Sequence, residues 1–116
     1  MKTIAVIIGL IMFSTAYGSD TNDKVTTRMA QWHKDGFDNI LIADLRITNN
    51  TRSQVKDITV LCGGFTETGT MIDRNVRVVY KFVNPGQTII AKEINMGFIL
   101  HDVDSVGCMT QRYIAE

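Results

Sequence analysis

The chain has 116 residues, one proline, two cysteines, and twelve basic side chains balanced by twelve acidic ones. That length suits one small domain. Without a basic run or a charge excess, nothing attracts a polyanion, so no nucleic-acid partner is expected.

Met1-Lys2 opens the chain with a positive charge, and Ile4 to Phe13 follows without a polar side chain. Small residues stand at Ala16 and Gly18. This is the layout of a secretory signal peptide over residues 1–18, with cleavage expected after Gly18. The apolar run is about ten residues, half of what a membrane-spanning helix requires. No stable membrane anchor is therefore expected after cleavage, and no cysteine lies near the cut to carry a lipid. The remaining chain is expected in the periplasm or secreted outside the cell.

Loss of Lys2 leaves eleven basic against twelve acidic side chains. Residues 19–24 read as a flexible polar lead-in, and 25–116 as the folded domain. In an oxidising compartment Cys62 and Cys108 are expected to pair. A zinc site is the alternative, but Cys62 has no second cysteine at close spacing.

Val25 to His33 reads as a first strand with imperfect alternation, and a short helix over Thr27 to Lys34 competes with it. Lys34-Asp35-Gly36 reads as a turn, because Asp-Gly tolerates positive φ. Ile40 to Thr48 is the clearest strand: Leu41, Ala43, Leu45 and Ile47 fall on one face, Asp44, Arg46 and Thr48 on the other. Asn49 to Ser53 turns the chain. Val55 to Phe65 resumes extended structure, with Ile58, Val60 and Cys62 on the core side and Asp57 and Thr59 away from it.

Gly63-Gly64 is expected to break or bulge that strand. Thr66 to Gly69 reads as a hairpin turn with Gly69 left-handed. Asn75 to Phe82 follows as a strand, with Val76, Val78 and Tyr80 opposite Arg77, Val79 and Lys81. Asn84-Pro85-Gly86 is a turn, with proline second and glycine third. Gln87 to Ile94 is the next strand. Asn95 to Asp102 has no clean period and reads as a loop or crossing segment. Ser105 to Tyr113 is the last strand and carries Cys108.

Six or seven short strands with frequent turns and no long amphipathic helix predict an all-β chain, a single antiparallel β-sandwich of immunoglobulin-like form. The staple would join two sheets or two neighbours in one sheet. Both arrangements fit the spacing.

The pieces Ile47-Thr48-Asn49-Asn50, Val55-Lys56-Asp57-Ile58, Thr68-Gly69-Thr70 and Asn84-Pro85-Gly86 together resemble the FxLYD-like family of exported bacterial immunoglobulin-like domains, over roughly residues 41–94. The family's Phe-x-Leu-Tyr-Asp run is replaced here by Leu61-Cys62-Gly63-Gly64-Phe65-Thr66. The resemblance implies a sandwich and supplies no catalytic residues.

Chemistry has few footholds. Ser105, His101 and Asp102 or Asp104 could be written as a triad, but no Gly-x-Ser-x-Gly elbow holds the serine, and neighbours on an extended segment diverge. His101, Asp102 and Asp104 are weak metal candidates, short of the ligands calcium requires. Asn49-Asn50-Thr51 is a glycosylation sequon in a eukaryotic secretory route. Phosphate loops and Cys-x-x-Cys motifs are absent, and no cofactor is expected.

Binding surfaces are the better prospect. Trp32 and Phe37 bracket a turn, and both are expected to fold back as a plug unless they form a contact surface. Met96 and Phe98, in the Asn95–Leu100 stretch, are the second candidate surface, although core filling is the first expectation for such large apolar groups. The expected role is therefore an exported, non-catalytic binding or structural module, whose partner is another envelope or extracellular protein. A secreted inhibitor or antagonist acting through these same segments is the alternative, and a hydrolase centred on His101 the third reading.

Overall fold

A computed structural model describes residues 24–116. The signal peptide at 1–18 and nearly all of the lead-in lie outside the described residues. Six antiparallel strands form two three-stranded sheets: β1 (Val25–Asp35), β2 (Ile40–Asn49), β3 (Val55–Phe65), β4 (Met71–Val79), β5 (Thr88–Phe98) and β6 (Ser105–Ala115). One sheet has the order β1-β2-β5 and the other β4-β3-β6. Among the described residues, only β1–β2 and β3–β4 are hairpins; β2 with β5 and β3 with β6 pair through connections that change sheet. Lettered A, B, C, C′, E and F in chain order, the strands reproduce the A-B-E and C′-C-F pairings of an immunoglobulin-like sandwich.

The core comes from the inward residues of both sheets. Leu41, Ala43, Leu45 and Ile47 of β2 are fully buried, as the alternation of that strand requires. Ile58, Val60 and Cys62 face them from β3. Cys62 and Cys108 are directly opposite each other on β3 and β6 and form the disulfide. The staple therefore joins two neighbours within one sheet. A disulfide-bonded pair belongs to an oxidising, non-cytoplasmic environment.

Strand β1 is extended throughout, so the competing helix over Thr27 to Lys34 does not form. A bulge at Ala30 explains the imperfect pattern: Met29 pairs with Leu45 and Trp32 with Ala43, so both face inward at a spacing of three. Strand β5 repeats the device, with Ala91 opposite Leu45 and Ile94 opposite Ala43. Glu93, at φ 54°, absorbs the extra residue there. Between the two bulges lies Asp44. Its carboxylate accepts from the Gln31 side-chain amide at 3.0 Å and from the Glu93 backbone N–H at 2.8 Å.

The segment read as a loop over Asn95 to Asp102 divides: Asn95–Phe98 belongs to β5, and 99–102 is a loop. Strand β5 continues to Phe98, and a second register shift across Asn95–Gly97 carries the chain past Leu41 and Ile42. The Gly63-Gly64 pair does not end β3, because both glycines keep their partners on β4 and β6, but the pairing bulges as expected just past it, where Ile72 of β4 is the extra residue opposite Gly64–Phe65. A Cβ on Gly64 would stand 2.8 Å from Val103 Cγ2 and 3.2 Å from Asp73 Cβ. Close approach of the β5–β6 connection therefore requires glycine at that place. Thr59, expected to point away from the core, is nonetheless buried. It lies in the central strand of its sheet, beside bulges near Asp57 and Gln111.

The turns follow the sequence. Gly69 has φ 89° and Gly86 φ 76°, and the Gln87 N–H closes the Asn84-Pro85-Gly86 turn onto Asn84 O at 2.9 Å. Asn49 is a fully buried hub at this end of the sandwich. Its Nδ2 donates to Ser53 O and Val83 O, and its Oδ1 accepts from the Thr51 N–H and hydroxyl. In the folded chain its amide is engaged in the core and presents no site for glycosylation.

The open edges of the sandwich are tied by polar contacts. On one side the Thr27 and Thr110 hydroxyls meet at 2.7 Å between β1 and β6. On the other, Asn75 Nδ2 donates to Phe98 O, and Asp73 Oδ2 accepts the Leu100 N–H.

Candidate binding surfaces

Three connections gather at one end of the sandwich: the β1–β2 turn (36–39), the β3–β4 turn (66–70) and the β5–β6 connection (99–104). Backbone hydrogen bonds join them, from Ile99 N to Asn39 O and from Asp104 N to Phe65 O. Phe37 stands here 97% exposed and Phe98 74% exposed, with Leu100 half-exposed. Phe98 pairs with Ile40 at the root of the turn that carries Phe37. The end is rich in carboxylates: Asp35, Asp38, Glu67, Asp73, Asp102 and Asp104, against Lys34, Arg74 and Arg77, whose guanidinium lies against Gly97.

The candidate residues separate on inspection. Trp32 packs against the core and Phe37 does not, so the two do not form a joint plug. Met96 is fully buried in the core and cannot belong to a partner surface. The bulge around Glu93 sets the phase that turns it inward, whereas Phe98, two residues on and past Gly97 at φ 103°, turns outward.

His101, Asp102 and Asp104 are exposed along an open depression of about 550 Å³, shared with Lys34, Thr66, Glu67 and Thr68. Among the described residues, no three His, Cys, Asp or Glu side chains converge as a metal-holding group. Lys34 Nζ donates to His101 O at 2.9 Å, so the histidine's backbone anchors this connection to β1.

A second surface was not singled out from the sequence. On the outer face of the β4-β3-β6 sheet, Val76, Leu61 and Met109 form a row across all three strands. The row beside it is Arg74, Gly63 and Gly107, and the next Met71, Phe65 and Ser105. The Phe65 ring lies over the two glycines: its Cζ would be 3.4 Å from a Cβ on Gly63, and its Cε2 4.0 Å from one on Gly107. An aromatic ring thus fills the space that missing side chains leave open. Beyond β4, Tyr80 is 77% exposed and Phe82 60% exposed. None of Leu61, Phe65, Met71, Val76, Val78 and Met109 belongs to the core cluster.

The signal for this face lies in β4. The inward partners of Val60, Cys62 and Gly64 are Arg77, Asn75 and Asp73, and only Val79 is buried. The apolar set Val76, Val78 and Tyr80 therefore faces solvent.

The end opposite the loops carries Lys24, Arg52, Lys56, Lys81 and Arg112, against Asp57 and Glu116. Lys56 Nζ contacts the Glu116 carboxylate at 3.0 Å. That hydrogen bond, reinforced by the charge of Glu116, raises the lysine pKa above its ordinary value. The molecule is thus acidic at the loop end and basic at the other.

No family model, no curated protein and no solved structure matches this chain.

Proposed function

We propose that the chain is an exported, non-catalytic β-sandwich module that works by binding another envelope or extracellular protein at its loop end. The observation that carries this reading is Phe37, presented almost wholly to solvent at the tip of a turn, with Phe98 and Leu100 on the adjoining connection. Rigid aromatic side chains on loops held by a sheet scaffold supply contact area at small entropic cost. The surrounding carboxylates favour a partner with a basic rim. The leader-like N-terminus and the disulfide both fit action outside the reducing interior. The resemblance to FxLYD-like domains, which brings no catalytic residues, is compatible with the same role.

The test is affinity capture from the native compartment with the wild-type chain, Phe37→Ser and Phe98→Ser, each checked for folding by circular dichroism. Capture of a discrete partner that both variants lose while remaining folded supports the reading. Equal capture by all three chains removes the loop end from it. The inhibitor reading shares this surface and is separated by assaying the captured partner's activity with and without the chain. An activity of the isolated chain that His101→Ala abolishes would instead establish the hydrolase reading.

A further inference from the structure

We propose that the open edge of β6, from Ser105 to Met109, takes up an extended segment of another polypeptide as an added strand, with apolar side chains at alternate positions. The proposal is independent of the loop-end reading, because it uses the backbone of β6 and not the exposed side chains of the turns.

The first ground is the state of the sheet edges. Strands β1, β4, β5 and β6 are the edges, and the first three are blunted. Strand β1 bulges at Ala30, and β5 shifts register twice, with Glu93 and Gly97 at positive φ. Strand β4 turns Asp73, Asn75 and Arg77 inward, and Asp73 and Asn75 bond to the backbone of Leu100 and Phe98. Ser105 to Met109 has no charged residue and no proline, and keeps an unbroken register with Phe65 to Leu61.

The second ground is the backbone, which selects the occupant. The Cα atoms of Cys62 and Cys108 are 4.0 Å apart. That is the shorter of the two spacings that alternate along an antiparallel pair, the one between residues that exchange no backbone hydrogen bonds. The N–H and C=O groups of Val106 and Cys108 therefore point away from β3, along the edge. Among the described residues no strand pairs with them. In a seven-stranded immunoglobulin-like sandwich, strand G fills the corresponding place beside F. An extended backbone is what matches such a row of donors and acceptors.

The third ground is the seam between β1 and β6. The Thr27 and Thr110 hydroxyls close it at one point, and Thr110 is buried there. Nearer the loop end, Met29 and Trp32 of β1 and Val106 and Cys108 of β6 pack on the core but are only half-buried. A strand added to β6 lays every second side chain over this opening, which favours apolar residues at those positions. The β6 of a second copy fits poorly, because its own inward side chains are committed to its core and its disulfide.

The experiment is selection of random peptides displayed on phage against the full chain after export, folded and with its disulfide intact. The most enriched peptide is then synthesised. It should carry apolar residues at alternate positions and slow amide exchange at Val106 and Cys108. N-methylation of the alternate residues that face β6 should weaken its binding at least about tenfold, and N-methylation of the intervening residues should not. Val106→Pro removes an N–H that β3 does not use, and should weaken binding equally, with urea unfolding as the control for folding. Phe37→Ser should bind the peptide as the wild type does. Failure to enrich any peptide overturns the proposal. So does a peptide indifferent to both methylation patterns, or one that protects other amides instead. A dimer in sedimentation equilibrium that shields Val106 and Cys108 assigns the edge to a second copy, and so also overturns it.

Discussion

The two sheets share one core and differ by one row on their outer faces. On the β1-β2-β5 sheet, every row that crosses the strands carries polar groups: Thr26, Thr48 and Thr88 in one, Arg28 and Arg46 in another, His33 and Asn95 in a third. Its apolar residues, such as Ile42 and Ile90, stand singly among them. On the β4-β3-β6 sheet, Val76, Leu61 and Met109 make a row with no polar member. The bulges differ too. Those at Ala30 and Glu93 disturb both edges of the wet sheet and are clamped by one carboxylate, Asp44. The apolar sheet is held by a covalent bond between its middle strand and an edge. A face finished with hydrogen bonds is suited to water, whereas an unfinished apolar face is suited to a partner.

Removing the staple should break this comparison most severely. The bond joins residues 46 apart in sequence, for which restriction of the unfolded chain contributes about 3–4 kcal/mol. In Cys62→Ala/Cys108→Ala, amide exchange should rise first across β3 and β6, with the β1–β2 pairing outlasting them. Uniform acceleration over both sheets would show that they do not differ in local stability.

Next is the hub that ties the ends of both sheets together. Asn49→Ala takes one donor each from Val83 O and Ser53 O, which keep the Val55 N–H and the Thr51 hydroxyl, and leaves the Thr51 N–H without its side-chain acceptor. A loss of about 3 kcal/mol in urea unfolding is expected.

The glycines and the clamp sharpen the contrast at smaller scale. Gly64→Ala forces its Cβ against Val103 and should cost about 1–3 kcal/mol. Gly63→Ala meets only the flexible end of Met71 and the edge of Phe65, and should cost under about 0.5 kcal/mol. On the other sheet, Asp44→Ala leaves the left-handed Glu93 N–H without its acceptor, an expected loss of about 1–2 kcal/mol. Chemical denaturation of the three variants side by side checks all of these values.

The smallest effect belongs to the Lys56–Glu116 pair. The lysine's folded pKa is raised above the ordinary 10.5, so its contribution is fully present below that value and is lost as pH rises through the raised one. Between pH 5 and 9 the pair should therefore add no slope to stability. Glu116→Gln should lower the urea midpoint slightly and by the same amount throughout that range, while the lysine's NMR titration moves back down.

Much of the fold was legible because β2 alternates without interruption and the turns carry Asp-Gly, Thr-Gly and Pro-Gly chemistry. What the sequence concealed lies where one extra residue breaks the period. Met29 and Trp32, Val55 and Ile58, and Ala91 and Ile94 are inward pairs three apart, a spacing shared with a helix face. That spacing produced the rival helix over Thr27–Lys34, and it left Met96 open between core filling, which the structure shows, and a partner surface. The apolar outer face was hidden for another reason. Alternation shows that Val76, Val78 and Tyr80 share a side, but only the pairing with Val60 and Cys62 shows that this side is the outer one. Phe37 and Phe98 were recognisable as large apolar residues beside turn chemistry, and their meeting at one end depends on the connections between sheets.

The central claim, a binder that works through its loop end, is tested most directly by site-specific photo-cross-linking in the native compartment. The cross-linker would be placed at Phe37 and, for comparison, at Thr48 on the wet face. The expected result is a discrete adduct with another protein from position 37 and none from position 48. No adduct from position 37, or the same adducts from both, would contradict it.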